Sequence, residues 1–481
     1  MTQLPPKVVR IIQLLEKGGA KDVLIVGGYV RDLLLNAPSK DVDIEVYGLS
    51  YEQIKAILAP HFHVNFVGQS FGVLKVDQLI DVALPRRESK SGIGHKGFKI
   101  DNSPNVTYEE AFARRDFTIN AIGMRLDGSF CDPYNGIEDI KRKTLRATSS
   151  AFKDDPLRVL RGMQMAARFG FTMDQTTIQY CRQVFNEFST LSPERIYGEW
   201  EKWALKGEHP ELGLEVLLET GWIQGFPYLA ALVNCPQNPE YHPEGDVWTH
   251  TLGVCREAAV LLREYPRKLS NEERLAVMFA ALCHDFGKPV VACRDETGAL
   301  RSHGHAEIGA PMAEEFLLNM RAPLRVAALT RALVAEHMTC NSHSTLVSAS
   351  AVRRLAKRLE PANIKLLSLL CQADALGCGA PMRYIDGVVD AHDWTPDELR
   401  AALKSGAVRF YCNNWLDVAS ELDLVEKSPK PILQGRYLLP LGIKPGAQIG
   451  KILNVAFEAQ LDGLFDNVED GIEYLRDNSV I

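Results

Sequence analysis

An apolar run that ends in two glycines, followed by an acidic alternating run, constrains this chain most. Val23-Leu24-Ile25-Val26 leads into Gly27-Gly28 and then Arg31-Asp32. Four consecutive apolar residues before a glycine turn read as a buried strand. The glycines let backbone N–H groups approach a ligand closely, and such a turn opening into a helix suits phosphate. The second run is Asp41-Val42-Asp43-Ile44-Glu45-Val46. Its alternation puts Asp41 and Asp43 on one face of a strand. Paired carboxylates suit Mg²⁺, a hard cation that takes oxygen ligands together with substrate phosphates. A lone Asp-x-Asp is commonly a surface feature, so its meaning depends on the residues that accompany it.

Those residues follow within the first third of the chain. Asp81 lies in a third alternating run, Ile80-Asp81-Val82-Ala83, and could sit beside the first two acids. Arg114-Arg115-Asp116, with Asn120 four residues on, adds two guanidiniums for phosphate and a carboxylate able to accept a ribose hydroxyl. Taken alone, Arg114 and Arg115 read better as a solvated charge pair. Two-metal sites of this composition activate a hydroxyl for in-line displacement at phosphorus.

Patterning divides the 481 residues, a length that suggests roughly three domains. Residues 1–146 mix short strands and glycine turns, an α+β arrangement. Residues 147–230 carry helix periodicity: Leu157, Leu160, Arg161, Gln164, Ala167 and Arg168 fall at steps of three and four. Ser192-Pro193-Glu194 starts another helix, with Ile196, Trp200 and Trp203 expected in the core. Residues 231–390 concentrate histidines among helices. Residues 391–481 form a helical tail broken by Pro429, Pro431, Pro440 and Pro445.

Composition bounds the setting. The chain is 46% hydrophobic and 24% charged, an ordinary globular balance. No apolar run is long enough to span a bilayer, so no membrane association is expected. Met1-Thr2-Gln3-Leu4-Pro5-Pro6-Lys7 lacks the layout of a signal peptide. Ten cysteines without Cys-x-x-Cys spacing argue for reduced thiols in the cytoplasm. A formal charge of −7 argues against bulk attraction to nucleic acid but leaves room for local basic patches.

Together these stretches resemble the class II tRNA nucleotidyltransferases, the CCA-adding enzymes of the DNA polymerase beta superfamily. The resemblance runs from Val23 to Phe171. It includes Pro85-Arg86-Arg87-Glu88, the glycine-rich Ser91–Phe98 and Arg114–Ala121. It continues with Asp132-Pro133 and Asp154-Asp155-Pro156-Leu157-Arg158-Val159-Leu160-Arg161. It implies an α+β nucleotidyltransferase head, then a mostly helical neck, body and tail. Asp41, Asp43 and Asp81 become the catalytic acids. Gly27, Gly28, Arg31, Arg114, Arg115, Asp116, Asn120, Asp155, Arg158 and Arg161 become the nucleotide-binding set.

In the family an acid-acid-x-x-Arg helix reads the incoming base. Here Asp155 would accept from the exocyclic amine that C and A share, and Arg158 would donate to ring and carbonyl acceptors. U and G would leave buried charges unpaired. Spacing of i and i+3 is expected to put both side chains on one helix face; an intrahelical ion pair is the plain alternative. Many family members carry an acid shortly before the Arg-Arg-Asp block. Ala111 aligns there, with Glu110 as its substitute, and residues 86–105 resemble the loop that influences the C-to-A switch.

The histidine-rich region resembles the HD phosphohydrolase superfamily. Carried over residue by residue, the metal ligands are His250, His284, Asp285 and Asp374, a set that suits several divalent transition metals. His305 and His337 could hold a second metal or a substrate phosphate, and Lys288 could meet phosphate. A body that has lost catalysis and serves as an RNA scaffold is the competing reading. The tail, with Lys444 and Lys451, also resembles HD-bearing CCA-adding enzymes. It would either touch tRNA phosphates or pack the body. Lys141-Arg142-Lys143 and Arg353-Arg354 with Lys357-Arg358 are further candidate tRNA contacts.

The expected activity is addition of CCA to tRNA from CTP and ATP, by a monomer or homodimer, with a metal-dependent phosphohydrolase beside it. Poly(A) polymerase and enzymes adding CC or A alone are the near alternatives. Alternatives of another class are a phosphohydrolase whose head merely binds nucleotide and a non-catalytic tRNA-binding protein.

Overall fold

The computed structural model describes residues 4–39, 41–68, 72–77, 80–90, 98–101, 106–265, 269–341, 347–378, 385–386 and 395–481. The chain forms two compact units, Met1–Gly225 and Phe226–Ile481. The α/β and first helical stretches of the sequence therefore share one unit.

The first unit is built on a seven-stranded sheet. Its strands are β1 (Asp22–Val26), β2 (Val42–Tyr47), β3 (Val64–Gly68), β4 (Val73–Val76), β5 (Ile80–Ala83), β8 (Gly123–Met124) and β9 (Phe130–Cys131). A separate ribbon pairs β6 (Arg87–Lys90) with β7 (Phe98–Asp101). The sheet order is β3-β4-β5-β2-β1-β8-β9. Within this sheet, among the described residues, only the β2–β5 pair is parallel, and its register sets Asp43 directly opposite Asp81. That pairing places the third acid beside the Asp-x-Asp run.

Helices back this sheet for local reasons. In α1 (Pro6–Lys17), Val8, Ile11, Ile12 and Leu15 form one buried stripe. The short α2 (Gly28–Leu34) follows the double-glycine turn. Capping boxes start α3 (Tyr51–Leu58) at Ser50/Gln53 and α4 (Tyr108–Ala113) at Thr107/Glu110. After α5 (Gly136–Lys141) come α6 (Leu157–Phe169), α7 (Gln175–Gln183), α8 (Pro193–Lys206) and α9 (Pro210–Thr220). Ile196, Trp200 and Trp203 of α8 are buried as expected. Pro193 is its first residue, but the Ser192 side chain makes no capping bond.

The second unit is helical. Its main elements begin with the short α10 (Pro227–Ala230), then α11 (Val247–Glu264), α12 (Asn271–Cys283), α13 (Lys288–Val291), α14 (His305–Asn319), α15 (Leu324–Glu336), α16 (Ala349–Arg358) and α17 (Ile364–Gly377). Packing of α11 on α17, and of α12 and α14 on α15, brings the histidine-bearing helices together. After α18 (Pro396–Ser405), α19 (Tyr411–Glu421) and α20 (Gly435–Leu438), a turn through Gly442 and Gly446 leads to α21 (Ala447–Leu461) and α22 (Val468–Asp477). The tail has its own apolar cluster around Leu438, Ile452, Phe465 and Leu475.

Candidate functional site

The turn between β1 and α2 can be made only with glycine at its corner. Gly27 has φ +73°, and a Cβ there would lie 3.0 Å from Nη1 of Arg115. Both backbone conformation and space exclude a side chain. The turn forms one wall of a cavity of about 410 Å³. Gly27, Gly28, Arg31, Asp43, Arg115, Asp116, Asn120, Asp155, Arg158 and Arg161 all line it, joined by Leu157 and Arg195. Residues far apart in the sequence thus share one concave site. Asp81 and Arg114 line an adjoining cavity of about 230 Å³, which also includes Asp43 and Arg115. Asp41 is exposed, one residue before β2.

The acids and arginines are arranged for a cation and a polyanion. Partial desolvation lifts the pKa of Asp43, and the charges of Asp81 and Asp41 lift it further, against Arg115. Crowded carboxylates of this kind fit a bound divalent cation, which would relieve their repulsion. Lys75, 3.3 Å from Asp81, is the basic neighbour on β4. Behind them Glu45 is buried, an acid that its place in the alternating run does not mark for any role. Its Oε2 lies 3.2 Å from Arg115 Nη2 and 3.7 Å from Arg114 Nη2. Tyr47 donates to its other oxygen at 2.6 Å. The two guanidiniums are therefore anchored on a fixed buried charge rather than loose in solvent.

A hydrogen-bonded chain runs beneath the cavity. Arg161 donates to Asp116 Oδ2 at 2.8 Å, and Asn120 donates to Asp116 Oδ1 at 2.8 Å. Asn120 accepts from Arg31 at 2.6 Å, and Arg31 donates to Asp32. Burial alone would raise the pKa of Asp116, but Arg161 and Asn120 bring it down to about 2. The Phe117 amide also donates to Oδ1, and a second Arg161 nitrogen lies 2.6 Å from Oδ2. Both oxygens are fully engaged. Asp116 is therefore placed to orient Arg161 and Asn120, not to accept a ribose hydroxyl as its sequence position suggested.

The expected Asp155–Arg158 helix face is corrected by the structure. Helix α6 begins at Leu157, and Asp155 is extended backbone ahead of it. Asp155 Oδ1 accepts from the Leu157 amide at 3.1 Å. Its Oδ2 accepts from Arg195 at 2.8 Å. Sequence reasoning missed Arg195, although it directly follows the Ser-Pro-Glu signal that starts α8. Arg158 donates to the carbonyls of Ala151 at 2.6 Å and Arg114 at 2.5 Å. Asp155 and Arg158 reach the same cavity, each held by a different partner. Ala111 is buried in the head core, and Glu110 caps α4 while bonding Arg87 at 2.7 Å. Of the loop expected at 86–105, residues 91–97 and 102–105 lie outside the described residues.

The basic candidates divide. Lys141, Arg142 and Lys143 are exposed at the end of α5, with Glu138 beside the first two. Lys444 and Lys451 are exposed. Arg354 instead pairs with Glu458 and Asp462, Lys357 with Glu360, and Arg358 with Glu336. Those ion pairs hold structure together and weaken the case for a tRNA patch there.

In the second unit the expected ligands converge. His250 Nε2 lies 3.0 Å from Asp374 Oδ1 and 3.2 Å from His284 Nε2. His284 Nε2 lies 3.2 Å from Asp285, whose other oxygen is 3.4 Å from His305 Nε2. His305 and His337 face each other through Nε2 at 3.1 Å. Among the described residues three groups emerge: His250/His284/Asp374, Asp285/His305/His337 and, sharing His250, His242/Glu244/His250. The Nδ1 atoms of His284, His305 and His337 each meet a backbone carbonyl, at 2.9, 2.7 and 2.7 Å. A carbonyl accepts only, so each ring carries hydrogen on Nδ1 and turns its Nε2 lone pair inward. The facing lone pairs of His305 and His337 repel unless a cation lies between them, so this pair fits bound metal.

The electrostatics divide the histidines. Burial would lower the pKa of His250, but Asp374 and Glu244 raise it to about 9. Burial, then His305 and His284, press His337 down to about 3. Burial would raise Asp374; His250 and His284 hold it far below the carboxylate range. Lys288 lies 2.7 Å from Asp285, donates to Gln237 at 2.9 Å and sits 3.4 Å from His242. Its three donors have partners, so it is not an open phosphate contact.

Comparison with known proteins agrees with this layout. The family described as Poly A polymerase head domain matches residues 23–146. A probable RNA- and SrmB-binding site of polymerase A matches 170–232, and the HD domain matches 247–377. The fold is shared with a Bacillus stearothermophilus CCA-adding enzyme solved with CTP. Identity is 21%, the TM-score is 0.61, and coverage is 99% of each chain. A Thermotoga maritima CCA-adding enzyme complexed with tRNA shares it at 19% identity and TM-score 0.56, over 99% of this chain and 97% of that one. A multifunctional CCA protein of Pasteurella multocida is 36% identical over 371 residues, 74% of this chain and 84% of that protein. Its counterpart in Mannheimia succiniciproducens is 37% identical over 369 residues, 73% of this chain and 83% of that protein. Identity sustained at that level, together with matches to both head and HD domain, means that this chain belongs to the CCA-adding tRNA nucleotidyltransferase family in its HD-bearing form.

Proposed function

We propose that the chain adds C, C and A to the 3′ end of tRNA from CTP and ATP, without a nucleic acid template. The carrying observation is the single cavity in which Asp43, the Gly27-Gly28 turn, Arg115, Asp155, Arg158 and Arg161 meet. The tRNA 3′ hydroxyl attacks the α-phosphate, and pyrophosphate leaves. Asp41, Asp43 and Asp81 would hold Mg²⁺, which supplies charge neutralisation at the phosphates and a more acidic hydroxyl. Arg115, anchored by Glu45, and the glycine turn receive the triphosphate. Asp155 accepts from the exocyclic amine of C or A, while Arg158 and Arg161 supply donors to the base and its neighbours. A site built around those donors and acceptors leaves charges unpaired when U or G enters. Lys141, Arg142, Lys143, Lys444 and Lys451 are assigned to tRNA phosphates.

The test is product length on tRNA ending at the discriminator base, with CTP and ATP supplied singly and together. Addition of CC with CTP alone and CCA with both is expected. A long adenylate tail from ATP alone would instead identify a poly(A) polymerase.

The HD cluster carries a second activity in this reading, hydrolysis of nucleotide or RNA-terminal phosphates. His250, His284, Asp285 and Asp374 would hold a divalent transition metal, with His305 and His337 completing a second position. Such a metal would supply Lewis acidity for attack of water on a phosphoryl group. The opposed Nε2 lone pairs of His305 and His337 favour this over a scaffold without metal. Release of phosphate from model phosphoesters across Ni²⁺, Co²⁺, Mn²⁺ and Mg²⁺ tests it; no activity with any of them would favour the scaffold. We place the enzyme in the cytoplasm, a reading supported by ten cysteines free of disulfides.

A further inference from the structure

His242, Glu244 and Lys288 lie against the HD cluster and belong to neither ligand group that faces inward. Their contacts form a chain whose direction is fixed by chemistry. Lys288 Nζ sits 3.4 Å from His242 Nε2. An ammonium only donates, so this nitrogen of His242 accepts and its hydrogen is on Nδ1. His242 Nδ1 lies 2.9 Å from Glu244 Oε1. The same oxygen lies 2.8 Å from Nδ1 of His250. The approach is an ion-pair contact rather than an aligned hydrogen bond; it sets the Glu244 charge against the Nδ1 edge of His250, while Nε2 faces His284 and Asp374. The three other cluster histidines meet backbone carbonyls through Nδ1, whereas His250 meets a side-chain carboxylate there.

The segment is built to hold this carboxylate still. Asp246 caps α11, accepting from the Thr249 amide at 2.9 Å, and its second oxygen accepts from the Asn234 amide at 2.6 Å. Between cap and carboxylate, Gly245 takes φ +129°, a conformation open to glycine. Lys288 is tied at the far end by Gln237 and Asp285. Glu244 is thus clamped between a helix start and a buried ammonium.

We propose that Glu244 is a positioning residue of the HD site: its carboxylate, set against the Nδ1 edge of His250, keeps that ring turned with Nε2 towards a divalent cation, with His242 and Lys288 holding Glu244 in place. The inference rests on the reading that this cluster binds metal. Outer partners of ligating histidines typically change metal affinity about 10- to 100-fold when lost.

The experiment uses the full chain, stripped of metal by chelator and titrated with Co²⁺ by calorimetry and visible absorption. Glu244→Gln keeps size and loses the charge. The expected result is a Kd weaker by about 10- to 100-fold, an altered Co²⁺ spectrum, and an unfolding midpoint of the metal-free protein like that of the wild type. CTP incorporation onto tRNA should be unchanged, since Glu244 has no part in the head. Wild-type affinity and spectrum in Glu244→Gln would overturn the proposal while leaving the metal reading intact. A weaker Kd matched by a lower midpoint of the metal-free form would make Glu244 merely structural and overturn it as well. A wild-type chain that binds no Co²⁺ would overturn both.

Discussion

Asp155 and Arg195 form an ion pair at 2.8 Å, joining the residue ahead of α6 to the first turn of α8. Arg158, three residues from Asp155, instead grips two backbone carbonyls. The two side chains expected to read the base are thus set by separate anchors. The anchor of Asp155 can be removed without touching Asp155 itself.

Replacing the reading residues should relax base choice. A hydrogen bond to a charged group contributes roughly 1.5–3 kcal/mol. Arg158→Ala or Asp155→Ala should therefore lower discrimination against UTP and GTP about 10- to 150-fold. Arg195→Ala should do the same to a smaller degree, because Asp155 stays but loses its orientation. Single-nucleotide incorporation of all four triphosphates reads this out. Retained strict C and A choice in all three variants would move base selection elsewhere.

Asp43→Ala and Asp81→Ala should abolish nucleotide addition while phosphohydrolysis persists. Asp43 and Asp81 stand opposite each other in the β2–β5 register, and their mutual repulsion calls for a cation. Near-normal incorporation by Asp43→Ala would sink the assignment of the head site.

His284→Ala and Asp285→Ala should remove metal-dependent phosphohydrolysis and leave CCA addition in place. Chelation followed by Mg²⁺ alone should separate the activities in the wild type, restoring addition first. Loss of CCA addition in either variant would mean that the cluster supports the head rather than its own reaction.

Asp116 gives a pH-dependent stability difference. Its folded pKa of about 2 lies below the ordinary 3.8, so it stabilises the native state above pH 4. That contribution falls away as pH drops through the folded value. A shift of this size corresponds to about 2 kcal/mol. Urea unfolding of wild type and Asp116→Asn should differ by about that much at pH 7, with the gap narrowing below pH 4 and closing only below the folded pKa of about 2. A constant gap across that range would contradict the ionised Asp116–Arg161 pair.

Charge reversal at Lys141, Arg142 and Lys143 should raise KM for tRNA and leave KM for CTP unchanged. These side chains are exposed at the end of α5, outside the nucleotide cavity. An equal KM for tRNA would return the patch to ordinary solvated surface.

Local pattern alone determined much of this protein. The Val23–Val26 run, the Gly27 turn and the alternation around Asp43 are properties of a few adjacent residues, and each became the element expected. Period-three-and-four spacing likewise marked α6 and the core face of α8. The histidine cluster was legible because His-Asp adjacency and the flanking histidines are rare side chains gathered in one region. What only the tertiary structure decided were the partners. Arg195 on Asp155, Glu45 beneath Arg114 and Arg115, and Glu244 between His242 and His250 depend on which charges packing brings together. A sequence records the spacing of charges along the chain, whereas an ion pair or a tautomer depends on their spacing in space. That spacing exists only once sheet and helices have packed.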